Sequence, residues 1–405
     1  MSVDFIRCRV CETQYEPLAV GICVRCFGPL EPVYDWDALH GRVTHESIAS
    51  GPRSIWRYAD LLPAVNTADP LAPGFTPLVE APRLARELGI GQLLLKLDIA
   101  NPTHSFKDRV VAVAAAKAME LGLGTLACSS TGNLASAVAA RAAAEGLHAI
   151  IFCANTVERE KLAAAAVYGA RIYTVRGSYD DCSRLASELD GEVDWGFVNN
   201  NLRAYYAEGS KTLAFEVAEQ LGWELPDVVV SPVASGSLLT KIWQGFDQLR
   251  LLDLVHGAAP RIIGGQAEGC SPVAAAFAED RPVTPVRPDT IVQSLAIGNP
   301  ADGDLAVATV RASGGGIYDV PEDEVGENMQ LLAETTGVFG ETAAGVTLGA
   351  LRAAVAAGTV GESDRVVLLV TGTGLKTPHP VAHIYEPIEI DPDVDALLAE
   401  LGVGI

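Results

Sequence analysis

Beyond residue 77 the chain alternates between short, almost wholly apolar runs and longer runs rich in alanine. The short runs, at 93–97, 125–128, 148–152, 171–175, 195–198, 227–231, 262–266, 317–320 and 365–370, have the length of buried strands. The longer runs, at 106–121, 133–145, 158–168, 179–189, 208–221, 237–249, 302–312, 322–336 and 341–357, have the length and composition of helices. Strands that are apolar on both faces and separated by helices predict α/β architecture, with parallel sheets covered by helices on both sides. In such sheets ligands bind beyond the carboxyl ends of the strands. The chemistry is therefore sought in the strand-to-helix turns.

Upstream the pattern is different. Residues 34–76 mix polarities and carry Pro52, Pro63, Pro70 and Pro73, which predicts an irregular arm with short helical pieces near 37–39 and 55–62. Before it stand Cys8, Cys11, Cys23 and Cys26, two C-x2-C pairs separated by eleven residues. Four thiolates at this spacing suit one tetrahedral structural Zn2+, with a metal-free remnant as the alternative. Four sulfurs leave no open position for catalysis. Cys128, Cys153, Cys182 and Cys270 are scattered and read as small buried hydrophobes. The length of 405 residues exceeds one compact core. We expect a zinc-ribbon-like head over 1–45 and a body over 46–405, the latter holding a smaller subdomain at roughly 105–205 inserted in a larger one.

Charge narrows the function. Lys plus Arg number 29 against 51 Asp plus Glu, a formal balance of −22. A surface this acidic argues against nucleic acid and anionic membranes as partners. No apolar run reaches the roughly 18 residues of a membrane span, and no secretory signal opens the chain. A cytoplasmic protein is expected. An anionic substrate would have to be caught by a local site and not by the global field.

The turn after 93–97 reads Asn101-Pro102-Thr103-His104-Ser105-Phe106-Lys107-Asp108-Arg109. Pro102 ends the strand, Ser105 is a candidate cap and Asp108 suits a first helical turn. A lysine at a helix N-terminus faces the positive end of the dipole, which eases deprotonation, and a neutral amine is what a Schiff base needs. A surface lysine snorkelling off the helix is the plainer reading of Lys107. The turn after 125–128 gathers Ser129, Ser130, Thr131, Gly132 and Asn133, more hydrogen-bonding groups than one cap requires and suited to a carboxylate. After 227–231 come Ala234, Ser235, Gly236, Ser237 and Leu238, small residues at a helix start that can cradle a phosphate. After 365–370 come Thr371-Gly372-Thr373-Gly374-Leu375-Lys376, with a hydroxyl able to meet a ring nitrogen.

A lysine, an asparagine turn, a phosphate cradle and a strand-end threonine are the parts of a pyridoxal 5'-phosphate site. With these residues, Cys26–Leu30, Ile297–Pro300 and Glu341–Ala343 in view, the chain resembles the threonine synthase family, of the fold type II (tryptophan-synthase-like) class of pyridoxal enzymes. The resemblance spans nearly the whole sequence, and Asn-Pro-Thr-x-Ser-Phe-Lys-Asp-Arg is its most specific motif. It implies that Lys107 forms the Schiff base, Asn133 bonds the phenolic oxygen, Ala234 to Leu238 bind the cofactor phosphate and Thr371 meets the pyridine nitrogen. The substrate carboxylate would rest on Ser129, Ser130 and Thr131. Some family members carry Gly-Asn-Ala-Gly-Asn where this chain has 234–238, and many have His or Asn where it has Thr373.

The implied reaction turns O-phospho-L-homoserine and water into L-threonine and phosphate. The substrate phosphate needs its own clamp, for which Asn199, Asn200 and Arg203, with Lys211 and Lys376, are candidates. A different fold type II lyase or synthase, such as a cysteate synthase or a serine/threonine dehydratase, is the alternative, and a non-catalytic regulator docking through the cysteine head is a more distant one. A homodimer is common in this class and is expected.

Overall fold

The computed structural model describes residues 3–157, 159–177, 179–383, 387, 389, 390 and 392–401. Its N-terminal head is a small antiparallel sheet in which β1 (Val3–Cys8) pairs with both β2 (Gln14–Tyr15) and β3 (Leu30–Tyr34). Alternate residues of β1 and β3 are buried, so the sheet has one face to hide. That face carries Ile6 and Leu30, which with Cys8 and Cys23 join the apolar cluster of the body formed by Val110 to Ala116, Leu202 and Tyr205.

The body holds two sheets. The chain enters the larger through the edge strand β4 (Leu78–Glu80) and β5 (Gln92–Leu97). It then leaves to build a four-stranded parallel sheet from β6 (Thr125–Ser129), β7 (His148–Ala154), β8 (Arg171–Val175) and β9 (Gly196–Phe197), in the order β8-β7-β6-β9. It returns with β10 (Val228–Pro232), β11 (Arg261–Ala267), β12 (Gly316–Val320) and β13 (Arg365–Val370). The larger sheet runs β12-β11-β10-β13-β5-β4 and is parallel except for β4. Every residue of β10 is buried, as expected of a strand covered on both faces. Among the described residues no helix is long and apolar enough to cross a membrane.

Five helices shape the site: α1 (Lys107–Glu120), α2 (Asn133–Glu145), α3 (Arg203–Glu208), α4 (Ser237–Leu251) and α5 (Thr342–Ala356). The helix expected at 208–221 spans Lys211–Gln220, and α3, which was not expected, precedes it. Gly209 marks the break. A Cβ there would lie 2.6 Å from Val110 Cα and 2.7 Å from the Arg109 carbonyl oxygen, so the chain bends to let two backbones touch. The helix expected at 158–168 spans Arg159–Ala166, and Glu158 lies outside the described residues.

Helix α1 is pinned by charge as well as by its apolar face. Arg109, fully buried, donates through Nε to Asp98 at 2.7 Å and through Nη2 to Glu216 at 2.8 Å. Lys96 joins Glu216 at 2.7 Å. Burial alone would raise the Glu216 carboxyl, but Arg109 and Lys96 hold it down to about 2. One residue earlier Asp108 reaches back to the Thr103 N–H at 2.8 Å. The capping role expected of Ser105 is not realised: Phe106 is the N-cap, without a side-chain cap bond, and the Ser105 hydroxyl is buried with no partner.

Candidate active site

The turns that follow β5 and β13 are stitched together by backbone. Phe106 N–H donates to the Thr371 carbonyl at 2.9 Å, Thr373 N–H to the His104 carbonyl at 3.2 Å, and Ser105 bridges Gly372. A third segment closes on them, as Glu341 N–H donates to the Gly372 carbonyl at 2.9 Å and Gly340 bridges Thr373. A Cβ at Gly372 would stand 2.5 Å from the Glu341 carboxyl carbon, so a larger residue here would displace that carboxylate. Since β5 and β13 are parallel neighbours, these turns meet at the carboxyl end of the sheet, where open α/β sheets bind ligands.

The side chains converge at the same place. Lys107 Nζ donates to the Tyr206 hydroxyl at 3.0 Å and lies 4.5 Å from the Phe106 ring centre. The Glu341 carboxylate accepts from Asn133 Nδ2 at 2.8 Å and from Thr371 Oγ1 at 3.2 Å. Lys376 Nζ donates to Asn133 Oδ1 at 2.9 Å and to the Thr103 carbonyl. Burial raises the Glu341 carboxyl above its ordinary value, opposed by the Asn133 hydrogen bond and the Lys376 charge. Burial likewise lowers the Lys376 amine, opposed by Glu341 and Asp108.

After β10, in the same sheet, α4 begins at Ser237 with no side-chain cap. Its N-cap, Gly236, has φ +91°, and a Cβ would lie 2.6 Å from the Asp302 carbonyl oxygen. The first-turn N–H groups are thus left for a ligand, with half-buried Ala234, Ser235, Ser237 and Leu238 around them.

Comparison with known proteins agrees with this geometry. The profile of the family described as pyridoxal-phosphate dependent enzyme matches residues 70–372. The threonine synthase of Methanosarcina acetivorans is 34% identical over 397 residues, covering 97% of this chain and 97% of the relative. The threonine synthase of Methanocaldococcus jannaschii is 34% identical, covering 96% and 98%. The chain belongs to the threonine synthase family. Among solved structures, maize serine racemase superposes with a TM-score of 0.61 at 20% identity, over 81% of this chain and 92% of that one, a likeness of fold. The fold is thus that of the fold type II pyridoxal enzymes.

The residues present suit the family's cofactor. Lys107 supplies an amine, the uncapped start of α4 supplies donors for a dianionic phosphate, and the partnerless Ser105 hydroxyl lies buried in the same turn as Lys107. Asn133 and Thr371 are already oriented by Glu341.

The remaining candidates are placed unevenly. Ser130 and Thr131 are half-buried at the approach to α2. Ser129 is turned inward, its hydroxyl donating to the Cys182 carbonyl at 3.1 Å. Asn200 Nδ2 reaches Ser187 at 3.4 Å, and Arg203 pairs with Asp302 at 2.6 Å. Lys211 is buried beside Glu208, Tyr34 and the Leu61 carbonyl. Two residues at the centre carried no role in the sequence reading. Glu341 entered only within the Glu341–Ala343 segment that carries the family resemblance, and Tyr206 was not singled out.

The cysteine head forms a second candidate centre. The sulfurs of Cys8, Cys11, Cys23 and Cys26 all lie within 4.8 Å of one another, with Cys8 to Cys26 at 3.4 Å and Cys11 to Cys23 at 3.5 Å. Zn–S bonds of about 2.3 Å in a tetrahedron place sulfurs roughly 3.8 Å apart, so the four fit one ion. Val10 N–H points at Cys8 Sγ and Arg25 N–H at Cys23 Sγ, each at 3.4 Å.

Proposed function

We propose that this protein converts O-phospho-L-homoserine and water into L-threonine and phosphate. The observation that carries the reading is the Lys107 amine, held by the Tyr206 hydroxyl at the meeting point of the strand-end turns. When bound, pyridoxal phosphate supplies an aldehyde for the substrate amine and a ring that withdraws electrons from Cα. The chain's own residues do the rest. Lys107 moves the proton at Cα, and Tyr206 fixes its amine. Ala234, Ser235, Gly236, Ser237 and Leu238 hold the cofactor phosphate, while Glu341 orients Asn133 and Thr371 toward the ring. Ser130 and Thr131, with N–H groups at the start of α2, bind the substrate carboxylate. Arg203, with Asn199, Asn200 and Lys376, receives the phosphate that leaves Cγ before water adds at Cβ. The reading includes division into a head at 1–45 and a body with a smaller subdomain near 105–205. It also includes a homodimer working in the cytoplasm, where eight unpaired cysteines suit a reducing environment.

Incubation of the cofactor-loaded protein with phosphohomoserine should release phosphate and threonine in equal amounts. Turnover of serine or threonine to a keto acid, or of a sulfonate-forming substrate, without phosphohomoserine turnover would instead favour a dehydratase or a cysteate synthase.

A further inference from the structure

Where the cysteine head meets the body, a small cavity is lined by Arg9 of the head, Arg203 of α3, Ser237 and Lys241 of α4, and Asp302. Its charges do not balance. Arg9 shares Glu31 with Arg7, at 3.4 and 3.0 Å. Lys241 shares Glu208 with Lys211, both at 2.5 Å. Arg203 has Asp302 at 2.6 Å. Among the lining residues three cations, Arg9, Arg203 and Lys241, stand against one carboxylate, Asp302, so two positive charges are left over, and the carboxylates behind them, Glu31 and Glu208, are each shared with a second cation outside the lining. In a chain of net charge −22, a half-buried excess of two is a local reversal of the global field. The Arg9 contact with Glu31 is long, from Nε at 3.4 Å, so the guanidinium keeps donors to offer a ligand. Arg9 is also well anchored, since its own N–H donates to the Pro29 carbonyl at 3.0 Å between two of the cysteines.

We propose that Arg9, with Arg203 and Lys241, forms a binding site for a phosphate-type dianion at the seam between head and body. A dianion matches the surplus charge, and guanidinium forks suit its oxygens. The cysteine-rich head thereby contributes a residue to ligand binding as well as covering an apolar face. The phosphate has two sources, the substrate's ester or free inorganic phosphate. The first rests on the function proposed above.

Calorimetric titration with inorganic phosphate is run on the cofactor-loaded protein, so that the cradle at 234–238, which shares Ser237 with this cavity, is already filled, and the comparison with Arg9 variants reads the seam. Arg9→Gln should weaken phosphate roughly ten- to a hundredfold, the range for one lost hydrogen bond to a charged group. Arg9→Lys should restore part of the loss. If the substrate uses the seam, inorganic phosphate competes with phosphohomoserine, and Arg9→Gln raises its KM without changing inhibition by homoserine. If free phosphate uses it, binding remains dependent on Arg9 while the KM for phosphohomoserine is unmoved. Either result supports the site. No phosphate binding to the wild type, equal affinity in Arg9→Gln, or loss of cofactor from that variant overturns it. A protein whose phosphate affinity depends on Arg9 but which makes no threonine keeps this site and loses the proposed reaction.

Discussion

The Lys107 amine can serve as a nucleophile or base only while it is held apart from carboxylates. Its partner is a neutral phenol, the Tyr206 hydroxyl at 3.0 Å, and two aromatic rings flank it. Lys107→Ala should abolish turnover and the violet-edge absorbance of the bound cofactor, with circular dichroism unchanged; normal activity in that variant would remove the mechanism. Tyr206→Phe keeps the ring and deletes the hydrogen bond. A hydrogen bond between neutral groups is worth about 0.5–1.5 kcal/mol, so kcat should fall roughly two- to tenfold while homoserine inhibits as before. A changed homoserine affinity with unchanged kcat would place Tyr206 in substrate binding alone. At this scale the sequence pointed to Lys107, Asn133 and Thr371, because each stands where a strand passes into the next helix or turn. Glu341 and Tyr206 were hidden because their roles arise from contacts across the chain: Glu341 meets side chains 208 and 30 positions away, and Tyr206 meets one 99 away. No local pattern encodes such a meeting.

At the scale of elements, the parallel strands were legible because buried strands are continuously apolar. The head strands were not, since they alternate and carry Arg7 and Glu31 on their open side. The edge strand β4 is three residues long, too short to show a period. The cysteine spacing was legible, and the sulfurs do gather. Metal analysis should find about one zinc per chain, because four thiolates saturate a tetrahedral site. Chelation should expose the head to protease before the body, and an ordered head without metal would favour a vestige. Helix α1 makes a separate demand. Arg109→Met would leave Asp98 and Glu216 buried beside Lys96 alone, a change that typically costs about 3–5 kcal/mol. This cluster and the one around Glu208 set a pH limit. Glu208 and Glu216 are each held at about 2 against an ordinary 4.5, by Lys211 and Lys241 in one case and Arg109 and Lys96 in the other, despite burial. A depressed carboxyl stabilises the fold fully above its unfolded value and loses that contribution as pH falls toward its folded one. Denaturant titrations should therefore show stability falling between pH 4.5 and 2, and a flat profile across that window would mean these pairs contribute little.

Over the whole molecule, charge opposes the proposed substrate. A net charge of −22 repels a phosphate ester at long range, whereas Arg203 and Lys376 attract an anion only at close quarters. The two effects differ in how salt screens them. The Debye length is about 30 Å at 0.01 M and about 8 Å at 0.15 M, so added salt first removes the long-range repulsion. Contacts inside a partly buried site are screened much less over that range. For phosphohomoserine, kcat/KM should therefore rise or hold steady from about 0.01 to 0.15 M KCl, the reverse of enzymes whose overall field steers an anion inward. The sign is what matters, since relief of long-range repulsion raises kcat/KM and screening of an attractive field lowers it. A steep fall over the same range would mean that exposed cations at the site mouth outweigh the acidic surface, and that the clamp is more open to solvent than the half-buried Arg203 indicates.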